Sequence, residues 1–176
     1  MCSRIIRNVI SAMFCLIVAV GTTGCHSSKG NKKVSSKKKA QVESVHVGKI
    51  SGRQEKIVKE AKSWLGTPYR YGACETGEGS DCSGMVLKVY EKATGIKLPR
   101  NSAKQAEFCR ELKGKEVKVG DLAFFATGKD PKKISHVGIM INDKEFIHAS
   151  TRKGVVISDI TTPYYERTFI MFGRPE

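Results

Sequence analysis

The sequence predicts an α+β fold in which helices come first and an antiparallel sheet follows. Apolar residues recur at helical spacing before Val117, whereas short runs of β-type residues separated by turn residues follow it. About 120 residues from Ile57 onward are enough for one domain with one core, and the sequence has no internal repeat. Helices followed by strands favour an antiparallel sheet over alternating βαβ units.

The first two-thirds of the domain contains three predicted helix starts. Ser51 and Ser102 each precede a Gln by three residues, which is the spacing of a capping box. A third helix is predicted to begin at Cys82, with Asp81 as its N-cap, and to end at Gly95. The apolar face of the first helix consists of Ile57, Val58, Ala61, Trp64 and Leu65. The apolar face of the helix that begins at Cys82 consists of Met85, Val86, Val89, Tyr90 and Ala93.

Five strands are predicted after Val117. They cover Leu122–Ala126, His136–Asn142, Glu145–Ala149, Val155–Ser158 and Phe169–Phe172. The second and third form a hairpin about Asn142-Asp143-Lys144. We expect His136 to lie within about one residue of the position opposite His148, with Cβ atoms roughly 5 Å apart if both share a face.

The candidate catalytic residues are Cys82, His136 and His148. Cys82 lies in the first turn of a predicted helix, where the dipole favours the reactive thiolate. His136 would act as its base and then as the acid for the leaving amine, and His148 would fix the tautomer of His136. Taken singly, each residue is more often structural, and together the three could instead bind zinc.

Six ordered motifs lie along the predicted domain. They are Ala61-Lys62-Ser63-Trp64-Leu65-Gly66-Thr67-Pro68-Tyr69-Arg70-Tyr71-Gly72, Asp81-Cys82-Ser83-Gly84-Met85-Val86, Leu98-Pro99-Arg100-Asn101-Ser102, Gly120-Asp121-Leu122-Ala123-Phe124-Phe125, Ser135-His136-Val137-Gly138-Ile139 and Phe146-Ile147-His148-Ala149-Ser150. Together they resemble the NlpC/P60 cysteine peptidases of bacterial cell walls, over Ile57 to Pro175. The small lipoproteins of the Spr type, whose third catalytic residue is also His, are the most similar members.

The resemblance implies a papain-like core, with the nucleophile helix packed on the antiparallel sheet, and a murein endopeptidase without a cofactor or a metal. Tyr69 resembles the tyrosine that holds substrate or oxyanion, and its other interpretation is core packing. Asp81 is a cap that in some relatives also holds a substrate amine, and Ser83 is a substrate contact or a first-turn residue. Arg100 either meets a carboxylate of the stem peptide or is simply solvated. The SH3-like module of many relatives is absent from this sequence.

The resemblance to murein endopeptidases leaves two candidates for the bond that is cut. One is the γ-D-glutamyl–diamino acid bond, and the other, which is modestly favoured, is the D-alanyl–diaminopimelyl cross-link. Two other functions stay open: a papain-like amidase or acyltransferase on another substrate, and a wall-binding lipoprotein without activity. The presence of Cys82, His136 and His148 argues against the inactive wall-binding lipoprotein, because a binding protein does not need all three residues.

Residues 1–24 are predicted to be a lipoprotein signal peptide. Arg4 and Arg7 precede an apolar run over 9–20, which is too short to span a bilayer. Gly24-Cys25 resembles a lipobox, with Thr22 where Leu is usual, so Cys25 is the predicted site of acylation, for example by palmitate. Ordinary secretion is the alternative. His26, rather than Asp, favours the outer membrane of a diderm bacterium, with the protein facing the periplasm.

Residues 25–50 are predicted to be an extended basic tether ahead of a catalytic domain over 51–176. Residues 1–56 contain 11 Lys and Arg but only 2 Asp and Glu, so their net charge of 11 − 2 = +9 is most of the +14 of the whole chain. Behind a lipobox, such a run favours anionic lipid or wall polymer over nucleic acid, which we do not expect to be a partner. The expected partners are peptidoglycan stem peptides and, through the anchor, a membrane. We expect a monomer.

The six cysteines divide by compartment. Cys2 and Cys15 leave with the predicted signal peptide, and Cys25 is the lipidation site. In an oxidising compartment Cys74 and Cys109 could form a disulfide, and a Cys74–Cys82 bridge would block the nucleophile. Nothing in the spacing demands a bridge, which slightly favours free thiols.

Overall fold

A computed structural model of the chain describes residues 50–176. The predicted signal peptide, Cys25 and the tether up to residue 49 lie outside the described residues. Within 50–176, no helix combines the length and the apolar composition needed to cross a bilayer. This part contains four α-helices: α1 (Gly52–Ser63), α2 (Cys82–Thr94), α3 (Ser102–Phe108) and α4 (Pro163–Thr168).

The described residues also form eight strands in two antiparallel sheets. Strands β1 (Cys74–Glu75) and β2 (Gly79–Ser80) make a small hairpin just before α2. The other six form one sheet in the order β3-β8-β4-β5-β6-β7. Their bounds are β3 Cys109–Leu112, β4 Leu122–Phe125, β5 His136–Met140, β6 Glu145–Ser150, β7 Gly154–Asp159 and β8 Phe169–Pro175. This architecture is the α+β fold with an antiparallel sheet that the sequence predicts.

Apolar clusters cover the main sheet on both faces. The cluster between the helices and one face contains Leu122 and Phe124, whereas their neighbours Ala123 and Phe125 belong to the cluster on the other face. The alternation follows from the period of two residues in a strand. All four residues of β4 are therefore buried. The first cluster includes Met85, Val86 and Val89 of α2, so the helix that begins at Cys82 packs directly on the sheet.

The predicted starts of the helices are confirmed in two cases and corrected in one. At α1 the Gln54 side chain accepts a hydrogen bond from the Ser51 N–H at 2.6 Å, as the capping box predicts. At α3 the cap is Asn101 rather than Ser102, because the Asn101 side chain accepts hydrogen bonds from the N–H groups of Ala103 and Lys104. The side chain of Gln105 does not cap α3 but donates to the carbonyl oxygens of Ser83 and Pro99.

The five predicted strands are present, with ends that differ by up to three residues. Asn142 forms the predicted turn, since its side-chain oxygen accepts the N–H groups of Lys144 and Glu145. The sequence analysis did not predict the short hairpin β1–β2, the edge strand β3 or the helix α4.

Candidate active site

The start of α2 is fixed by Asp81 and by a close contact at Gly84. The Asp81 carboxylate accepts a hydrogen bond from the Gly84 N–H at 2.8 Å, so Asp81 is the N-cap that the sequence predicts. A methyl group at Gly84 would meet the Ala73 carbonyl oxygen and would lie 3.0 Å from Cβ of Cys74. The absence of a side chain at Gly84 therefore lets the segment before β1 approach the first turn of α2.

Asp81, Ser83 and Arg100 form one internal cluster beside Cys82. The Arg100 guanidinium donates to both oxygens of the Asp81 carboxylate at 2.7 Å and to the Ser83 hydroxyl at 3.0 Å. Burial opposes ionisation of Asp81, but Arg100 and the N–H groups of Gly84 and Gly72 hold the pKa of that carboxyl below its usual value. Arg100 is thus not a freely solvated side chain, and the carboxylate it meets belongs to the protein.

The Cys82 thiol lies beside the first residues of β5. The Val137 N–H, directly after His136 in the chain, is one of the backbone groups that favour the ionised form of the Cys82 thiol. Burial is the larger effect, since Cys82 is only 8% exposed, and it raises the pKa of the thiol to about 11. Burial thus opposes the thiolate that the start of the helix is expected to favour.

His136 and His148 contact each other across the β5–β6 hairpin. His136 Nε2 lies 2.9 Å from His148 Nδ1, and the two rings are nearly perpendicular. The strand register pairs Ile139 with Ile147, which places His148 opposite Gly138 and two residues from the position opposite His136. The offset is two residues rather than the predicted one. An even offset keeps both histidines on the same face of the sheet.

Gly138 leaves the room that His148 needs. A Cβ atom at Gly138 would lie 2.5 Å from Cδ2 of Phe146 and 3.1 Å from Cβ of His148. In its absence the Phe146 ring stacks on the His148 ring, with centroids 4.8 Å apart. The glycine, the phenylalanine and the two histidines therefore form one packed unit at the end of the hairpin.

Two hydroxyl groups that the sequence analysis missed complete the surroundings of His148. Its Nε2 atom lies 2.9 Å from the Ser158 hydroxyl on β7 and 3.1 Å from the Tyr165 hydroxyl on α4. Ser158 is the last residue of a predicted strand, so its place in the sheet was predictable. The sequence does not show, however, that its side chain lies on the same face as His148. Tyr165 lies on an element that was not predicted.

Burial keeps both imidazoles neutral at pH 7. It lowers the pKa of His136 to about 4, and burial together with the neighbouring His136 lowers the pKa of His148 to about 3. His148 is 2% exposed. The resting site thus holds a neutral thiol and two neutral rings.

Tyr69 lies in the loop between α1 and β1 and is half-buried. Its backbone forms a parallel bridge to Ser80, just before Asp81. Burial and then the nearby Cys82 and Asp81 raise the pKa of the Tyr69 hydroxyl, which keeps it a hydrogen-bond donor at pH 7. Tyr69 therefore lies close to Cys82 and Asp81 at the start of α2.

Cys74, Cys82 and Cys109 are free thiols in the structure, in agreement with the slight preference from the sequence. In the part of the chain that the structure describes, no group of three or more His, Cys, Asp or Glu side chains is arranged to hold a metal ion.

Comparisons with known proteins identify the same region. The profile described as "NlpC/P60 family" matches residues 66–174. The Escherichia coli K12 protein named "Probable endopeptidase NlpC" is 37% identical over 161 residues, covering 89% of this chain and 95% of its own length. The E. coli K12 protein named "Murein DD-endopeptidase MepS/Murein LD-carboxypeptidase" is 29% identical over 176 residues, covering 94% of this chain and 92% of its own.

A solved structure supports the same relationship. The crystal structure of an NlpC/P60 family protein from Bacillus cereus superposes with a TM-score of 0.64 at 28% identity. The match covers 75% of this chain but 42% of that longer chain. Residues 66–174, which match the family profile, include the start of α2 and the whole histidine hairpin. The chain belongs to the NlpC/P60 family.

Proposed function

We propose that this protein is a peptidoglycan hydrolase of the cell envelope, a cysteine peptidase that cuts an amide bond in murein stem peptides or their cross-links. One observation supports this function above the others: a thiol at the start of a buried helix lies against the strand that carries one member of a hydrogen-bonded histidine pair. The names of the two E. coli relatives agree with an endopeptidase. Cys82, His136 and His148 are the proposed catalytic residues.

The order of the protons in the site follows from the hydrogen bonds. His136 uses Nε2 to contact His148, so Nδ1 is the atom left to accept the thiol proton. If Nδ1 is the base, the resting proton of His136 lies on Nε2 and is donated to Nδ1 of His148. His148 then carries its own proton on Nε2 and donates it to the hydroxyl of Ser158 or Tyr165.

The proposed reaction is acyl transfer through a thioester. The Cys82 sulfur attacks the carbonyl carbon while His136 takes the thiol proton, which forms the C–S bond without a free resting thiolate. The Cys82 N–H and the Tyr69 hydroxyl are the proposed donors to the oxyanion. His136 gives its proton to the leaving amine as the C–N bond breaks. Water, activated by His136, then hydrolyses the thioester and restores the thiol.

The internal cluster of Asp81, Ser83 and Arg100 supports mainly a positioning function in this reaction. The Asp81 carboxylate already accepts hydrogen bonds from Gly84, Gly72 and Arg100. A substrate amine or carboxylate would have to share or replace one of these partners. Direct substrate contact by these three residues stays a prediction.

The test is the mass analysis of purified muropeptides incubated with the purified full-length protein. Wild type and Cys74→Ser should release peptide fragments, because Cys74 is a second free thiol outside the proposed mechanism. Cys82→Ser and His136→Ala should lower release by about 10³-fold or more, since base and nucleophile act as a unit. Wild-type release by Cys82→Ser would contradict the mechanism. Binding of muropeptides without cleavage by the wild type would instead support a wall-binding protein.

We also propose that Cys25 is acylated and that the basic segment before residue 51 is a tether that lets a domain anchored to the outer membrane reach the wall. Labelled palmitate should enter the wild type and Cys74→Ser but not Cys25→Ser. Deletion of residues 29–39 should keep membrane attachment yet reduce wall cleavage in cells. Full-length processed protein in the medium would contradict the anchor.

A further inference from the structure

A cleft of about 480 Å³ opens beside the histidine pair. His136 and His148 line it from the hairpin, and residues at the β6–β7 turn, after β4 and on α4 complete it. Its lining is rich in hydroxyl groups, from Thr127, Ser150, Thr151, Tyr164 and Tyr165. It contains no carboxylate, and because the two rings are neutral, Arg152 is its one charged side chain. Hydroxyl donors around a single guanidinium favour an anionic ligand.

Arg152 is free to bind such a ligand. It lies in the turn between β6 and β7, where its backbone N–H donates to the Ser150 hydroxyl at 3.3 Å, and the residue is exposed. By contrast, Arg100 and Arg174 are each bound to a buried aspartate. The Arg152 guanidinium takes part in none of the ion pairs found between residues 50 and 176.

The place of the cleft relative to the proposed reaction indicates which half of the substrate it holds. His136 delivers the proton to the leaving amine, so the leaving group must lie next to His136. Tyr69 and Cys82, the groups proposed to hold the acyl half, do not line the cleft, whereas His136 does. The leaving group is therefore the half of the substrate that we assign to the cleft.

The two candidate bonds differ in charge at this position. In the D-alanyl–diaminopimelyl cross-link, the carbon that bears the leaving amine also bears a free carboxylate. In the γ-D-glutamyl–diaminopimelyl bond of a tetrapeptide stem, the carboxyl at that carbon is already joined in a neutral amide to D-alanine. Guanidinium groups bind carboxylates through paired, charge-assisted hydrogen bonds. A guanidinium in this cleft therefore distinguishes the two bonds.

We propose that Arg152 binds the free carboxylate next to the scissile amide on the leaving-group side, and that it thereby directs the enzyme to the D-alanyl–diaminopimelyl cross-link. This inference rests on the proposed hydrolase function and adds to it a determinant of specificity. It involves binding alone, and the bonds that break and form are those of the thioester reaction.

The experiment compares two cross-linked tetrapeptide dimers, one with that carboxylate free and one with it converted to the neutral carboxamide. The purified full-length wild type, Arg152→Gln and the control Lys153→Gln are measured with both. Lys153 is an adjacent exposed cation that does not line the cleft. Amidation should lower the wild-type kcat/KM roughly tenfold, as expected for loss of one partly exposed charge-assisted pair. Arg152→Gln should lower kcat/KM by the same factor on the dimer with the free carboxylate, and it should not change kcat/KM on the amidated dimer.

The pattern of outcomes separates this inference from the proposed function. The Lys153→Gln variant should match the wild type on both dimers. If the wild type cleaves both dimers equally, or if Arg152→Gln slows both by one factor, the carboxylate assignment is overturned while the hydrolase stands. If the wild type cleaves neither dimer but releases γ-glutamyl fragments from tetrapeptides, the assignment is also overturned. If it cleaves no muropeptide, the proposed function itself fails.

Discussion

His148 is the residue whose contacts say most about how the candidate site holds its protons. Both of its ring nitrogens have partners, and on Nε2 these are the hydroxyls of Ser158 and Tyr165 rather than a carboxylate. A carboxylate would favour a positively charged ring, whereas hydroxyls accept a hydrogen bond and leave the ring neutral. In the proposed mechanism the positive charge therefore develops on His136, where it is needed to protonate the leaving amine.

Removing both hydroxyls from His148 should slow the reaction more than removing either one. Ser158→Ala and Tyr165→Phe should each lower kcat by less than about threefold, because the other hydroxyl still accepts the Nε2 proton. The double variant should lower kcat about tenfold or more, since the buried N–H loses its acceptors and the tautomer of His148 is no longer fixed. Steady-state kinetics on a cross-linked muropeptide dimer measures kcat for the two single variants and for the double variant.

The matched control for this prediction is Tyr164→Phe. Tyr164 is the neighbouring tyrosine of α4 and packs against Tyr165, but its hydroxyl does not hydrogen-bond to His148. Because Tyr164 also lines the cleft beside the histidine pair, this variant removes one cleft hydroxyl without removing a partner of His148, and it should lower kcat less than the double variant does. A double variant of Ser158 and Tyr165 with wild-type kcat would mean that the hydroxyls pack against the ring without positioning its proton.

At the scale of elements, the start of α2 depends on the segment that packs over it. The Ala73 carbonyl oxygen and the Cys74 side chain lie where a Cβ of Gly84 would be. Arg100 binds the same segment, since it donates to the Ala73 carbonyl at 3.0 Å as well as to Asp81. The short hairpin after Ala73 is thus held against the first turn of the helix that carries Cys82.

Gly84→Ala should lower the free energy of unfolding by about 1–3 kcal/mol, because the new methyl group meets backbone atoms that cannot move aside easily. Urea unfolding followed by circular dichroism measures the change. Gly52→Ala is the matched control, since Gly52 is also at the beginning of a helix but has no atom within 4 Å of the added Cβ. It should change stability by less than about 0.5 kcal/mol. Equal effects of the two substitutions would contradict the proposed close packing.

The hairpin and the helix start were predictable from the sequence because their signals are local. The turn at Asn142 and the runs of β-type residues on either side bring His136 and His148 to one face within a few residues of chain. Tyr165 was not predictable, since α4 has six residues and too few turns to show a helical period. The burial that opposes ionisation of the Cys82 thiol was also not predictable, because it depends on parts of the chain that are distant in sequence.

The cap of α3 and the strand β3 were missed for related reasons. Asn101 and Ser102 are both residue types that cap helices well, and the sequence alone does not show which of the two begins the helix. Strand β3 has four residues, is mostly polar, and pairs with β8, which follows it in sequence by more than fifty residues. Such a strand is stabilised by its long-range partner rather than by its own pattern.

For the whole molecule, burying two neutral histidines makes stability depend on pH. Above about pH 6.5 both rings are neutral in the folded and the unfolded chain. Below that value the unfolded chain binds protons that the folded chain does not, because the folded pKa values are about 4 for His136 and about 3 for His148. The free energy of unfolding should therefore fall as the pH falls from about 6.5 towards 4.

The expected loss between pH 7 and pH 5 is roughly 4 kcal/mol for the two rings together, if each binds one proton on unfolding. Asp81 does not contribute in this range, since its pKa is held below the ordinary 3.8 and its effect appears only at lower pH. Urea unfolding at pH 7, 6 and 5 measures the slope. His148→Gln should remove about half of it, whereas Lys153→Gln should leave it unchanged. A flat profile in the wild type would mean that both histidines bind protons in the folded protein, and the proposed neutral resting site would then be wrong.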